Sequence, residues 1–113
     1  MWQDQRAVYL QIRDHVVGGI IDGSYAPGDV LPSVRALAAE RAVNPLTVSK
    51  AYQELQSDGL IEARKGIGLY VLPGAREVLL KRERELFLRD DWPRIRRHID
   101  RLGLAPATLF EKA

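Results

Sequence analysis

Apolar positions recur along this chain at two periods, and the changes of period outline its elements. Tyr9, Ile12, Val16 and Ile20 fall three and four residues apart, which predicts an amphipathic helix from about Asp4 to Asp22, stopped at Gly23. Pro27-Gly28 and Pro32 then break regular structure. Val34, Leu37 and Ala38 share one face of a second helix, with Ser33 as its N-cap and an end near Glu40. After the short turn Arg41-Ala42-Val43, Asn44 is a second N-cap. Pro45 suits the first helical position, where its missing N–H is harmless. The third helix runs to Ser57 or Asp58 and is ended by Gly59. Its inner face carries Val48, Ala51, Tyr52 and Leu55; at ~100° per residue the opposite face centres on Leu46 and Lys50. Thr47, Ser49 and Gln53 flank that outer face.

The period then shortens. Ile61 and the β-prone run Leu69-Tyr70-Val71-Leu72 flank Arg64-Lys65-Gly66-Ile67-Gly68, which predicts a short hairpin with cations at its tip. Pro73-Gly74 is the predicted boundary, dividing the chain into domains 1–72 and 73–113. Beyond it a charged helix is expected over Arg76–Arg89, with Leu79, Leu80, Leu86 and Phe87 on one side and Glu83 interrupting the stripe. Asp90 and Asp91 before Trp92-Pro93 signal a new helix start, and Trp92, Ile95, Ile99 and Leu102 form its stripe up to Gly103. The tail adds at most one short turn.

Helix, helix, tight turn, helix and hairpin, in that order, make a winged helix-turn-helix. The fold class is mostly α with a small β-hairpin, followed by C-terminal helices. In this arrangement the third helix enters a DNA major groove with its N-terminal residues toward the base edges. The outward side chains there are Asn44, Thr47, Ser49 and Lys50. Arg35 is placed to reach a base edge or a phosphate. At the wing tip, Gly66 permits close approach to the DNA backbone and Lys65 supplies charge.

Charge changes this picture in one respect. The net charge is only +2, and residues 1–72 hold seven Lys/Arg against eight Asp/Glu, so the excess of base lies after Pro73. Global charge therefore does not argue for nucleic acid, and individual positions must carry the case. With no cysteine, disulfides, thiol nucleophiles and cysteine zinc sites are excluded. His15 and His98 lack partners at a ligand spacing, so no metal site is expected. No nucleophile elbow is present, and Gly66-Ile67-Gly68 lacks the third glycine and following helix of a dinucleotide fingerprint. Neither an enzyme nor a cofactor is expected. The start MWQDQRAVYL is not a signal peptide, and no stretch approaches the ~20 apolar residues of a membrane span, so a cytoplasmic protein is expected.

The run PGDVLPSVRALAAERAVNPLTVSKAYQELQSDGLIEARKGIGLYV strongly resembles the N-terminal domain of the GntR family of bacterial regulators. The resemblance covers roughly Val8 to Val71. It rests on PG, LPSxR, the helix from Thr47-Val48 to Ala51-Tyr52, DGLI and the GxG wing, all in the family's order. It implies operator contacts at Ser33, Arg35, Asn44, Thr47, Ser49, Lys65 and Gly66. Leu46 and Ile67 depart from the family's polar habit; Leu46 instead suits a thymine methyl. The short C-terminal part resembles the YtrA-type subfamily, in which it serves dimerisation, so Leu79, Leu80, Leu86, Phe87, Trp92, Ile95, Ile99 and Leu102 are the expected dimer contacts.

About 40 residues in helices cannot bury a core of their own, and a second copy is the economical partner. The expected partners are therefore double-stranded operator DNA and a second copy of the chain, acting as a repressor. Any small-molecule effector would be held between the C-terminal helices or at the dimer interface, with Trp92 lining it. The competing reading is a winged-helix protein–protein interaction module that never binds DNA. The chain is expected to be whole rather than a piece of an aminotransferase-fused relative.

Overall fold

The structure, a computed structural model, describes residues 7–111. Its elements are α1 (Val8–Asp22), α2 (Val34–Arg41), α3 (Pro45–Ser57), β1 (Ile61–Arg64), β2 (Gly68–Val71), α4 (Ala75–Leu86), a π-helical turn (Phe87–Asp91), α5 (Trp92–Leu102) and α6 (Pro106–Glu111). The helix start predicted at Asp4 lies outside the described residues. The winged helix-turn-helix and the C-terminal helices stand as predicted, and the tail forms the short α6.

Local chemistry sets the element ends. The Ser33 hydroxyl accepts from the Ala36 amide at 3.1 Å and opens α2. The Asn44 carboxamide oxygen accepts from the Leu46 amide at 2.8 Å and opens α3, with Pro45 in its first turn. Between these helices Ala42 takes a left-handed conformation, φ 55°, so that its amide can close α2 onto Ala38 and Ala39. The antiparallel hairpin pairs Ile61 with Val71 and Arg64 with Gly68. Residues 28–31 extend it: Gly28 donates to the Val71 carbonyl at 2.8 Å, Val71 to Asp29 at 3.0 Å, and Leu31 to Leu69 at 2.8 Å. The loop before α2 is thereby anchored to the wing.

Two compact units divide the chain after Leu79. The core of the first draws on Ile12, Val16, Val17 and Ile20 of α1, Leu37 and Ala38 of α2, Val48, Ala51, Tyr52 and Leu55 of α3, and Ile61 and Val71 of the hairpin. Gly19 lets α1 take part: a Cβ there would come within 2.6 Å of the Tyr25 ring, which covers this end of the helix. Arg76 donates to the Ile21 carbonyl at 2.8 Å, fastening the start of α4 to the last turn of α1.

Two expectations are corrected here. The expected boundary at 72/73 falls where Pro73-Gly74 breaks the strand, but the compact unit continues into α4. Ala75 and Leu79 are buried in its core, and Leu79 is 0% exposed. Leu79 is therefore a core residue of the winged unit and not a free dimer contact. Nor does the chain break before Trp92. Asp91 is helical, φ −88° and ψ −47°, and caps nothing; its carboxylate accepts from Arg94 at 3.4 Å. Pro93 has no amide for a helical bond, and its ring would press on the carbonyl four residues back. The wider π turn, in which the Trp92 amide reaches the Phe87 carbonyl, absorbs that conflict without ending the helix.

The second unit, from Leu80 on, has no fully buried residue among those described. Leu80 and Ile99 are half-buried; Leu86, Phe87, Trp92, Ile95 and Leu102 are exposed. The Phe87 and Trp92 rings stack across the π turn at 6.5 Å between centroids.

Candidate nucleic-acid interface

The first turns of α2 and α3 present most of the predicted contact residues. Ser33, Arg35, Asn44 and Leu46 are exposed, while Thr47 and Ser49 are half-buried on the flanks of α3. Ser33 and Asn44 spend side-chain oxygens on their caps. The Arg35 guanidinium has no hydrogen bond or ion pair among the described residues. Leu46, 76% exposed, is an apolar side chain left largely open to solvent among the described residues.

Lys50 behaves differently. Its ammonium lies over the Tyr9 ring of α1, 3.8 Å from the centroid, so it is drawn toward α1 rather than projecting beside Leu46. Arg13 also ties α1 to α3, reaching Asp58 at 3.3 Å and Glu54 at 3.7 Å.

At the wing tip, the Ile67 amide donates to the Arg64 carbonyl at 3.0 Å and closes a turn with Lys65 and Gly66 at its centre. Gly66 has φ 81°, which that turn requires and which a side chain would strain. Only one of the two tip cations projects. Arg64 stacks on the Tyr70 ring at 4.3 Å and donates to its hydroxyl at 3.0 Å; that hydroxyl donates to Glu62 at 2.6 Å. Lys65 stays exposed beside Ile67.

A support that sequence reasoning missed lies behind α2. The buried Tyr52 hydroxyl donates to the Pro32 carbonyl at 2.7 Å, joining α3 to the residue before the Ser33 cap. The visible signal was a tyrosine on an apolar face, since a buried phenol needs a polar partner. Burial, then the nearby Tyr25 and Glu40, push its pKa above the ordinary value of 10.0. The neutral phenol is thus favoured in the folded state. Its contribution to stability is complete below pH ~10 and is lost as pH rises through the folded-state value. Tyr52→Phe is expected to cost about 1 kcal/mol at pH 7 in urea unfolding. The same variant is expected to lose part of the decline in stability that the wild type shows above pH ~10.

The family model for bacterial regulatory proteins of the gntR family matches residues 8–71, more than half of the chain. The chain belongs to the GntR family. As a GntR protein it is 43% identical over 74 residues to the transcriptional repressor YtrA of Bacillus subtilis, a stretch covering 66% of this chain and 57% of that one. That likeness supports the YtrA-type subfamily. A GntR family transcriptional regulator from Listeria monocytogenes superposes with a TM-score of 0.75 at 28% identity, over 96% of this chain and 93% of that one. The DNA-binding domain of AraR, solved in complex with operator ORR3, superposes with a TM-score of 0.54 at 28% identity, over 56% of this chain and 76% of that one. GntR proteins are regulators rather than enzymes, and no helix among the described residues of this one is long and apolar enough to cross a membrane.

Proposed function

We propose that this GntR regulator binds double-stranded operator DNA in the cytoplasm as a homodimer and represses transcription at an inverted repeat. What carries the reading is the division of labour among the cations of the winged unit. Arg13, Lys50, Arg64 and Arg76 are held by Asp58 and Glu54, the Tyr9 ring, the Tyr70 ring and the Ile21 carbonyl. Arg35, Arg41 and Lys65 are exposed, and of these Arg35 stands at the start of α2 and Lys65 at the tip of the wing. These are two places from which a winged helix reaches DNA.

In this mechanism α3 enters the major groove by its first turn, with Asn44, Leu46, Thr47 and Ser49 toward the bases. Arg35 reaches a base edge or phosphate, and Lys65 with Gly66 follows the flanking backbone. The second unit joins two copies through Phe87, Trp92, Ile95, Ile99 and Leu102, so that two α3 helices address two half-sites. The likeness to the YtrA repressor and to the operator-bound AraR domain supports both the DNA target and the sign of control.

A binding selection on genomic fragments, followed by titration of the winning duplex, tests this. Enrichment of an inverted repeat is expected. Arg35→Ala is expected to weaken its binding by about 1–3 kcal/mol, roughly ten- to a hundredfold, with the circular dichroism spectrum unchanged. If folded wild-type protein enriches no fragment at low salt, the reading fails and the protein-interaction module takes its place.

A further inference from the structure

The winged unit and α5 differ sharply in charge. Residues 1–72 carry a net −1, whereas α5 packs Arg94, Arg96, Arg97 and Arg101 into eleven residues against the single acid Asp100. At ~100° per residue, Trp92, Ile95, Ile99 and Leu102 occupy one side of α5, while Arg94, Arg97 and Arg101 fall within an arc of ~60° on the other. Arg94 shares its charge with Asp91 at 3.4 Å. Arg97 and Arg101 are exposed, one helical turn apart. No ion pair is formed by either among the described residues.

This is not the pattern of an ordinary solvated face. Such faces alternate sign so that residues four apart attract; like charges at that spacing destabilise a helix by a few tenths of a kcal/mol. Here the residues four before and after Arg97 are Pro93 and Arg101, and those around Arg101 are Arg97 and Ala105; Asp100 stands three after Arg97 but forms no ion pair with it among the described residues. The repulsion is relieved when an anionic surface lies along the ladder. From Arg94 to Arg101 the ladder rises ~10 Å, which faces about three phosphates of one DNA strand. Long-range attraction to DNA needs such unpaired cations, and Arg97 and Arg101 add to Arg35, Arg41 and Lys65 among the described residues.

We infer that the arginine face of α5 is a second, sequence-independent contact for the phosphate backbone of duplex DNA, on the opposite side of the helix from the dimer stripe. This deepens the DNA-binding reading proposed above and rests on it. The wing and α3 select the site; α5 adds the electrostatic term that holds the protein on any duplex. Arginine suits the task, because its planar fork engages phosphate oxygens in pairs.

The test is a salt titration of full-length protein on the selected operator and on a scrambled duplex, comparing wild type with R97Q/R101Q. Circular dichroism and light scattering would verify that fold and oligomeric state match. The slope of log affinity against log salt is expected to fall by about two per subunit. For a dimer, the loss of affinity between about 50 and 200 mM salt then shrinks roughly a hundredfold. Specific and scrambled duplexes are expected to weaken by the same factor, leaving their ratio intact, whereas Arg35→Ala narrows that ratio. An operator bound by both proteins with equal slopes overturns the inference while the DNA-binding reading stands. If no fragment is selected, yet the double variant lowers the slope on scrambled duplex, the site reading fails and the backbone contact survives. Equal DNA slopes with wild type alone sedimenting on phosphatidylserine vesicles would assign the ladder to a membrane surface and overturn it.

Discussion

Leu79→Ala is expected to destabilise the winged unit by about 2–5 kcal/mol, while Leu102→Ala leaves that unit's stability within about 0.5 kcal/mol. Both leucines lie in the C-terminal third on helices that look alike in sequence, yet Leu79 is fully buried and Leu102 is 56% exposed. Truncating Leu79 removes buried methylenes and leaves a cavity in the core of the winged unit, a loss that can approach the whole stability of a small domain. Thermal unfolding should show the Leu79 variant melting at least about 10 °C below the wild type. Operator binding would fall only as far as the unfolded fraction grows. If the Leu79 variant melts like the wild type and is instead a monomer, then α4 belongs to the dimer from its first turn and the core assignment is wrong.

That contrast explains what the sequence does and does not disclose. Helix caps are local, so Ser33, Asn44 and Pro45 announce α2 and α3, and the structure places their side chains on the amides expected of caps. The change of period at Leu60 marks the hairpin for the same reason. A helix stripe shows that a residue such as Leu79 faces something without showing what, and Pro73-Gly74 is a turn signal rather than a domain signal. The break expected at Asp90-Asp91 failed for a related reason. Acid before Trp-Pro favours a helix start, but a π turn accommodates the same residues without interruption, and a helical pattern cannot distinguish the two.

Charge shows the limit most clearly. The net −1 of residues 1–72 does not argue for nucleic acid, yet it counts groups whose partners are already in the chain. Glu54 and Asp58 answer Arg13, Asp29 accepts from the Ala26 amide at 2.8 Å, and Glu62 accepts from Tyr70. Lys50 and Arg64 are likewise engaged with aromatic rings. Several acids of the unit and much of its base are thus structural, and what meets a ligand is set by the side chains left over. Pairing across 45 residues, as between Arg13 and Asp58, has no signature in a single sequence.

Ile95→Glu is expected to convert a dimer into a monomer and to lower operator affinity by about a hundred- to ten-thousandfold, the range over which linking two heads strengthens binding. Ile95 lies near the middle of the α5 stripe and is 37% exposed in the single chain, with Trp92 and Ile99 on either side along the same face. None of these residues belongs to the core of the winged unit, so that unit's melting should be unchanged. A carboxylate placed there would be buried without a partner when two stripes meet, a cost of several kcal/mol that apolar contact nearby does not offset. Each reading head would then bind one half-site on its own, and the affinity would no longer depend on the spacing between half-sites. Analytical ultracentrifugation across a concentration series gives the first readout, and titration on operators with one or two half-sites the second. A variant that still sediments as a dimer and binds the two-site operator with wild-type affinity would show that the copies meet elsewhere. The apolar face of α5 would then lose its role in setting the distance between the two α3 helices.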